Sequence, residues 1–206
     1  MYHTLVILCV VSSLLIGSHE SASVEVNKLL KDICDHVQNI QNRTQGLLDT
    51  YLSNQGAPFN GSHFSAEQLQ LDGLPKASIP YRAWRRMTDE ERLLENYQAY
   101  SVFQEYFQLV LDDQRDLSPD QTALLHLLDE LCHDLAQLLK QLSSAFDALR
   151  LPRPLPIKDP LSSLDQQSSP FQRRLRGYLV FREYRLWLLR THRSFTLLGI
   201  QSREAQ

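Results

Sequence analysis

A chain of 206 residues is long enough to bury one sizeable core, and its 43% apolar and 22% charged residues are ordinary for a globular domain, which excludes disorder throughout. With 21 Lys and Arg against 24 Asp and Glu, the net charge of −3 is too near neutral to announce a nucleic-acid partner. Any charge signal must be local.

The chain opens on an apolar run from Leu5 to Ile16, about a dozen residues where ~20 are needed to cross a hydrocarbon core. It reads as the heart of a secretory signal peptide over residues 1–22, with Gly17, Ser18, Ser21, Ala22 and Ser23 as small residues for cleavage. No Lys or Arg precedes the run, so His3 and the free amine supply its charge. A signal anchor is the alternative, disfavoured by shortness and by the lack of flanking basic residues. No other segment suits membrane insertion, and residues 23–206 form the expected domain.

The first expected helix, about 24–54, places Val26, Leu30, Ile33, Val37, Ile40, Leu47 and Tyr51 on one stripe, interrupted only at Thr44. Two N-glycosylation acceptor triplets stand near it, Asn42-Arg43-Thr44 and Asn60-Gly61-Ser62. Asn42 has to project from the outer face of the helix, whereas Asn60 stands in a Gly- and Pro-bearing loop. From Gln55 to Met87 helical periodicity dissolves around Gly56, Pro58, Gly61, Gly73, Pro75 and Pro80, with Phe59, Phe64 and Trp84 as apolar pins. Extended at ~3.3 Å per residue, such a loop can return along a helix of about 45 Å with slack to wrap the bundle.

Thr88-Asp89-Glu90-Glu91 is a capping box that opens a second helix, about 88–115, whose stripe is Leu93, Tyr97, Tyr100, Phe103, Phe107 and Val110. Ser118-Pro119-Asp120-Gln121 predicts an immediate third helix, about 118–149, carrying Leu124, Leu128, Leu131, Leu135, Leu138, Leu142 and Phe146. The Pro-rich and then Ser-rich stretch that follows reaches about 60 Å if extended at ~3.1 Å per residue, enough to span a helix length. Ser169-Pro170-Phe171-Gln172 opens the last helix, about 169–198, through Leu175, Tyr178, Leu179, Leu186 and Leu189. Long connections after the first and third helices with a tight one between the second and third predict an all-α, up-up-down-down four-helix bundle with two long crossover loops. Once Cys9 leaves with the signal, Cys34 and Cys132 remain, at heights along their helices that differ by on the order of 10 Å; a bridge is the less favoured reading.

No phosphate-cradling glycine pair, G-x-S-x-G, H-E-x-x-H or C-x-x-C occurs, so neither an enzyme nor a cofactor is expected. The last helix carries Arg173, Arg174, Arg176, Arg182, Arg185, Arg190 and Arg193 against a single acid, Glu183, over the same span. This basic face admits a solvated surface, a heparin or membrane-surface patch, or a receptor contact; arginine's planar head group and apolar stem favour the last.

Several runs are specific. Thr88-Asp89-Glu90-Glu91-Arg92-Leu93-Leu94-Glu95-Asn96-Tyr97-Gln98-Ala99-Tyr100 resembles the second-helix opening of ciliary neurotrophic factor and cardiotrophin-like cytokine. Thr50-Tyr51-Leu52, Gln55-Gly56-Ala57-Pro58-Phe59 and Phe64-Ser65 resemble cardiotrophins and neuropoietin, and Phe171-Gln172-Arg173-Arg174-Leu175-Arg176-Gly177-Tyr178 with Arg182-Glu183-Tyr184 is similar to the last-helix opening of neuropoietin. On these runs the chain resembles the interleukin-6 type cytokines in their ciliary neurotrophic factor and cardiotrophin branch. The resemblance implies a secreted cytokine, monomeric before it meets its receptors, that acts through Janus kinases and STAT proteins. Its implied partners are a ciliary neurotrophic factor receptor alpha-like subunit, the leukaemia inhibitory factor receptor and the shared glycoprotein 130 subunit. In that family an aromatic-basic pair at the start of the last helix engages the leukaemia inhibitory factor receptor; the matching pair here is Phe171 and Arg174, with arginine in place of lysine. The alternative for Phe171 is a cap on the bundle core. Trp84 and Arg190 match positions of the alpha-receptor surface, and Trp84 as a loop anchor is the alternative there. The rival to a cytokine is a secreted amphipathic helical lipid- or heparin-binding protein that uses the arginine face.

Overall fold

Where apolar side chains recur every three to four residues over several turns, helices that bury those stripes against one another are the stable solution. The computed structural model describes residues 24–204 apart from 63, 156, 163 and 165–167, and among them it contains helices and no strands. The helices are α1 (24–44), α2 (Leu47–Asn54), α3 (Tyr81–Arg86), α4 (Asp89–Leu117), α5 (Thr122–Ala148) and α6 (Pro170–Glu204). The expected signal peptide lies outside the described residues. None of the described helices is long and apolar enough to cross a membrane.

The first expected helix is divided at Gln45 and Gly46. The Thr44 hydroxyl donates back to the Ile40 carbonyl at 2.9 Å, which lets a hydroxyl occupy a buried position in the apolar stripe. Gly46 keeps right-handed helical torsions and its carbonyl accepts from Thr50 N–H at 3.0 Å, so helical hydrogen bonding resumes at once in α2. The predicted capping box at Thr88 forms, with Glu91 N–H donating to Thr88 Oγ1 at 3.2 Å and Thr88 N–H to Glu91 at 2.7 Å, and at the expected opening of the last helix Ser169 pairs likewise with Gln172.

Three expectations are corrected. Ser118 does not cap the third helix: it closes α4, donating its N–H to the Gln114 carbonyl at 2.9 Å, and accepts from Gln121 N–H in a turn, so α5 begins at Thr122. The stretch before the second helix contains α3, which starts after Pro80. In α6, Leu186 and Leu189 are exposed, because the face that meets the core is Val180, Phe181, Tyr184, Trp187, Leu188, Thr191 and Phe195.

An aromatic column fills the centre. Tyr184 packs edge-on against Phe103 and Phe107, Phe107 meets Phe181, and Phe181 meets Tyr51 at 5.1 Å. The α5 leucines at 124, 128, 131, 135, 138 and 142 are all buried on the other side. The early part of α4 lies against the late part of α5 through Tyr97 and Phe146, and its end against the start of α5 through Arg115 and Asp129. The start of α4 also meets the end of α6: Tyr100 donates its hydroxyl to Thr191 Oγ1 at 2.7 Å, and Thr191 reaches Asn96 Oδ1 at 2.6 Å. Cys34 in the middle of α1 has its sulfur 3.7 Å from the Thr196 hydroxyl in the later part of α6, whereas Tyr51 in α2 meets the start of α6. His36 and Arg43 of α1 bond Gln141 and Asp134 of α5. Cys34 and Cys132 are both free thiols.

Candidate functional site

The capping box at Ser169 and the proline at the first helical position fix where α6 begins, and thereby where its first-turn side chains emerge. Phe171 emerges there with 48% of its surface exposed. Its inner side rests on Phe59, with ring centroids 5.3 Å apart; Phe59 is buried and meets Phe64 at 4.9 Å, and Phe64 stands edge-on to Tyr178. Phe171 therefore both covers an aromatic stack and presents a ring to solvent.

The arginines that follow differ in what they touch. Arg173 donates from Nε to Asp113 at 2.7 Å and from Nη1 to Asp116 at 2.6 Å. Arg176 donates from Nε and Nη2 to the other Asp113 oxygen at 3.0 and 2.6 Å. One buried carboxylate at the end of α4 thus clamps two guanidinium groups. Although desolvation opposes it, hydrogen bonding to Asp116 and Asp113 raises the Arg173 pKa above its ordinary value. Arg174 lies between them, half-buried; its carbonyl accepts from the Tyr51 hydroxyl at 2.9 Å, but among the described residues its guanidinium has no hydrogen-bond or ion-pair partner, and its Nε is buried without one. The tip thus combines an exposed ring with an uncommitted cation on a clamped helix start.

The second predicted pair lies about 28 Å away along α6, at 1.5 Å per residue. Trp84 is on α3, half-buried, donating Nε1–H to Ser194 Oγ at 3.2 Å. The buried Arg92 guanidinium stacks on its ring at 4.8 Å and donates to its carbonyl at 2.6 Å. Trp84 is thus an anchor that holds α3 on α6 and α4. Arg190 is also mostly buried: it forms an ion pair with Glu95 and stacks on Trp187 at 4.6 Å. Burial lowers its pKa, with Glu95 opposing the shift. Both residues line a groove of about 680 Å³, whose walls also include Tyr81, Leu186, Leu189 and Arg193. Tyr81, at 71% exposure, and the two exposed leucines make that groove an apolar surface open to solvent.

The strongly basic face expected of the last helix is therefore only in part a free surface. Four of its seven arginines (173, 176, 182 and 190) fasten α6 to its surroundings; Arg182 donates to the Ala66 and Leu69 carbonyls at 2.8 and 2.9 Å. Sequence reasoning missed Asp113, Tyr51 as the support of Arg174, and Gly177, where any Cβ would overlap the Tyr51 hydroxyl and ring. The available signal was an isolated glycine inside a helical pattern, which marks close approach of a neighbour. Asn42 and Asn60 are both exposed; Asn42 accepts from Gln38 at 3.1 Å on α1, and Asn60 is in the turn that carries Phe59. Among the described residues no group of three or more His, Cys, Asp or Glu is arranged to hold a metal.

The family model described as plethodontid receptivity factor PRF matches residues 5–204. Cardiotrophin-2 of Mus musculus is 36% identical over 191 residues, covering 93% of this chain and 93% of its own length, and cardiotrophin-2 of Pan troglodytes is 35% identical over a similar span. Ciliary neurotrophic factor of Mus musculus is 28% identical over 166 residues, 78% of this chain and 80% of its own. With a family model over nearly the whole chain and cardiotrophin-2 relatives aligned over 93% of it, the chain belongs to the ciliary neurotrophic factor and cardiotrophin branch of the interleukin-6 type cytokines.

Proposed function

We propose that this cytokine is secreted and acts without chemistry of its own, by holding receptor subunits together so that their associated Janus kinases activate STAT signalling. Residues 1–22 serve as the signal peptide and 23–206 as one up-up-down-down domain. Supporting that topology, both ends of α6 meet the opposite ends of α4 and of the α1 and α2 pair, and α5 meets α4 and α1 in the same reversed sense. The observation that carries the reading is the α6 tip: an exposed Phe171 beside an unpartnered Arg174, on a helix start clamped by Asp113. An aromatic that fills a pocket and a planar cation that meets a carboxylate are the side chains that dominate interfaces. In this reading the tip contacts the leukaemia inhibitory factor receptor, and the groove beside Trp84 and Arg190 contacts a non-signalling alpha subunit like that of ciliary neurotrophic factor. Glycoprotein 130 completes the assembly. The rival, helices that open onto lipid, is disfavoured by a core in which α4, α5 and α6 already bury one another's stripes.

The test is reconstitution in cells that lack all three receptors. STAT phosphorylation in response to the purified chain is expected only when the leukaemia inhibitory factor receptor and glycoprotein 130 are both supplied, with the alpha subunit raising sensitivity. A response that needs neither subunit refutes the reading.

A further inference from the structure

We propose that Asn60 carries an N-linked glycan and that this glycan borders the Phe171 tip, slowing its engagement. The inference rests on the secretory and receptor-contact reading above and concerns regulation of the same site. The transfer joins Asn60 Nδ2 to the anomeric carbon of an oligosaccharide held on a lipid pyrophosphate. The C–N bond forms as the anomeric C–O bond breaks, the lipid pyrophosphate leaves, and an amide proton passes to the transferase's base.

The two acceptor triplets lie in different surroundings. Asn42-Arg43-Thr44 is helical; Thr44 is 2% exposed and bonded to the Ile40 carbonyl, Arg43 is paired with Asp134, and Asn42 is engaged with Gln38. Asn60, Gly61 and Ser62 are all exposed in irregular backbone, and among the described residues the Asn60 side chain has no hydrogen-bond partner. Two main-chain bonds shape that turn, Asn60 N–H to the Gly56 carbonyl and Gly61 N–H to the Pro58 carbonyl, both 3.1 Å. Because Phe59 is 2% exposed and faces the bundle, Asn60 in the same turn faces outward. Adjacent Cα atoms are about 3.8 Å apart, so the glycosylated residue directly follows the ring on which Phe171 rests. A bulky, hydrated modification there narrows the directions from which a partner approaches the tip. It acts on association and leaves the contact itself unchanged.

The experiment is synthesis of the full chain in secreting cells and, in parallel, in a cell-free system with endoplasmic-reticulum microsomes. Peptide mapping after enzymatic glycan release in heavy-oxygen water follows, with Asn60→Gln, Ser62→Ala and Asn42→Gln variants alongside. Asn60 is expected to convert to labelled Asp, and both Asn60→Gln and Ser62→Ala are expected to remove the glycan. A chain protected inside microsomes but unmodified at Asn60 overturns this proposal alone. A chain that is never translocated overturns the secretory reading and the proposal with it. Two readouts address the tip. Hydroxyl-radical oxidation of Phe171 is expected to rise about twofold on deglycosylation, a measurement that needs no receptor. Association with the leukaemia inhibitory factor receptor ectodomain is expected to quicken roughly twofold to fivefold. Unchanged Phe171 oxidation overturns the placement of the glycan, and unchanged association with a receptor that does bind overturns its regulatory effect.

Discussion

Gly177 and Tyr51 show how a single missing carbon positions the tip. The Tyr51 phenol occupies the space where a Cβ on residue 177 would be, and from there supports the Arg174 carbonyl. Overpacking of such a contact costs about 1–3 kcal/mol, so Gly177→Ala is expected to lower the melting temperature by about 2–4 °C per kcal/mol. Tyr51→Phe loses the bond donated to the Arg174 carbonyl and the longer one accepted from Gln114 Nε2 at 3.4 Å, about 1–2 kcal/mol together. The pair of substitutions is expected to cost less than their sum, since removing the hydroxyl relieves part of the overlap; calorimetry of the four proteins checks this. Asp113→Ala strands the buried Arg176 and half-releases Arg173, an expected loss of roughly 3–5 kcal/mol by urea unfolding. The glycine inside a helical pattern was a signal of close approach, but the Asp113 dependence was not legible in the sequence, because periodicity tells which face is buried but not which carboxylate meets which arginine. Burial, with Asp129 adding to it, pushes the Cys132 thiol up to about 11. Since the thiolate is the reactive form, alkylation of folded Cys132 is expected to be slow at pH 8 and to rise about tenfold per pH unit up to pH 10, with rapid labelling once urea unfolds the chain.

At the scale of elements, α4 and α5 were the most legible, because their stripes and the Thr88 box act locally. Periodicity also located α6 and its capping box, but it counted Leu186 and Leu189 with the core, since leucine on an exposed groove and leucine in a core look alike in sequence. The two connections show the limits in opposite directions. Ser118 and Pro119 have the residue types of a helix start, yet the carbonyl of Gln114 claims the Ser118 N–H for the end of α4, and a turn results. The long first connection lacks periodicity, but its apolar pins are tied down: Phe59 under Phe171, Arg182 on the Ala66 and Leu69 carbonyls, and Tyr106 on the Asp72 carbonyl at 2.8 Å. The connection is therefore a structural part of the tip. Phe59→Ala is expected to cost about 3–5 kcal/mol and to weaken tip-directed receptor binding, while Trp84 keeps its hydrogen bond to Ser194 and alpha-receptor binding is unchanged. Solution binding to the two receptor ectodomains, compared with thermal melting, separates those effects.

For the molecule as a whole, one helix presents two different surfaces about 28 Å apart, a clamped aromatic-cationic tip and an apolar groove held by Trp84 and Arg190. The sequence placed all four of these residues on α6 or just before α4, but it did not distinguish an uncommitted guanidinium from one used for packing. Arg174 is free to meet a partner, whereas Arg190 is occupied by Glu95 and Trp187. We propose that the two surfaces engage different receptors independently. The most direct measurement is binding of Phe171→Ala/Arg174→Ala to the leukaemia inhibitory factor receptor and to the alpha subunit, with circular dichroism as a check on folding. We predict about a 30-fold or greater loss for the former and no change for the latter. Undiminished binding to the leukaemia inhibitory factor receptor, or an equal loss for both receptors in a folded variant, would contradict it.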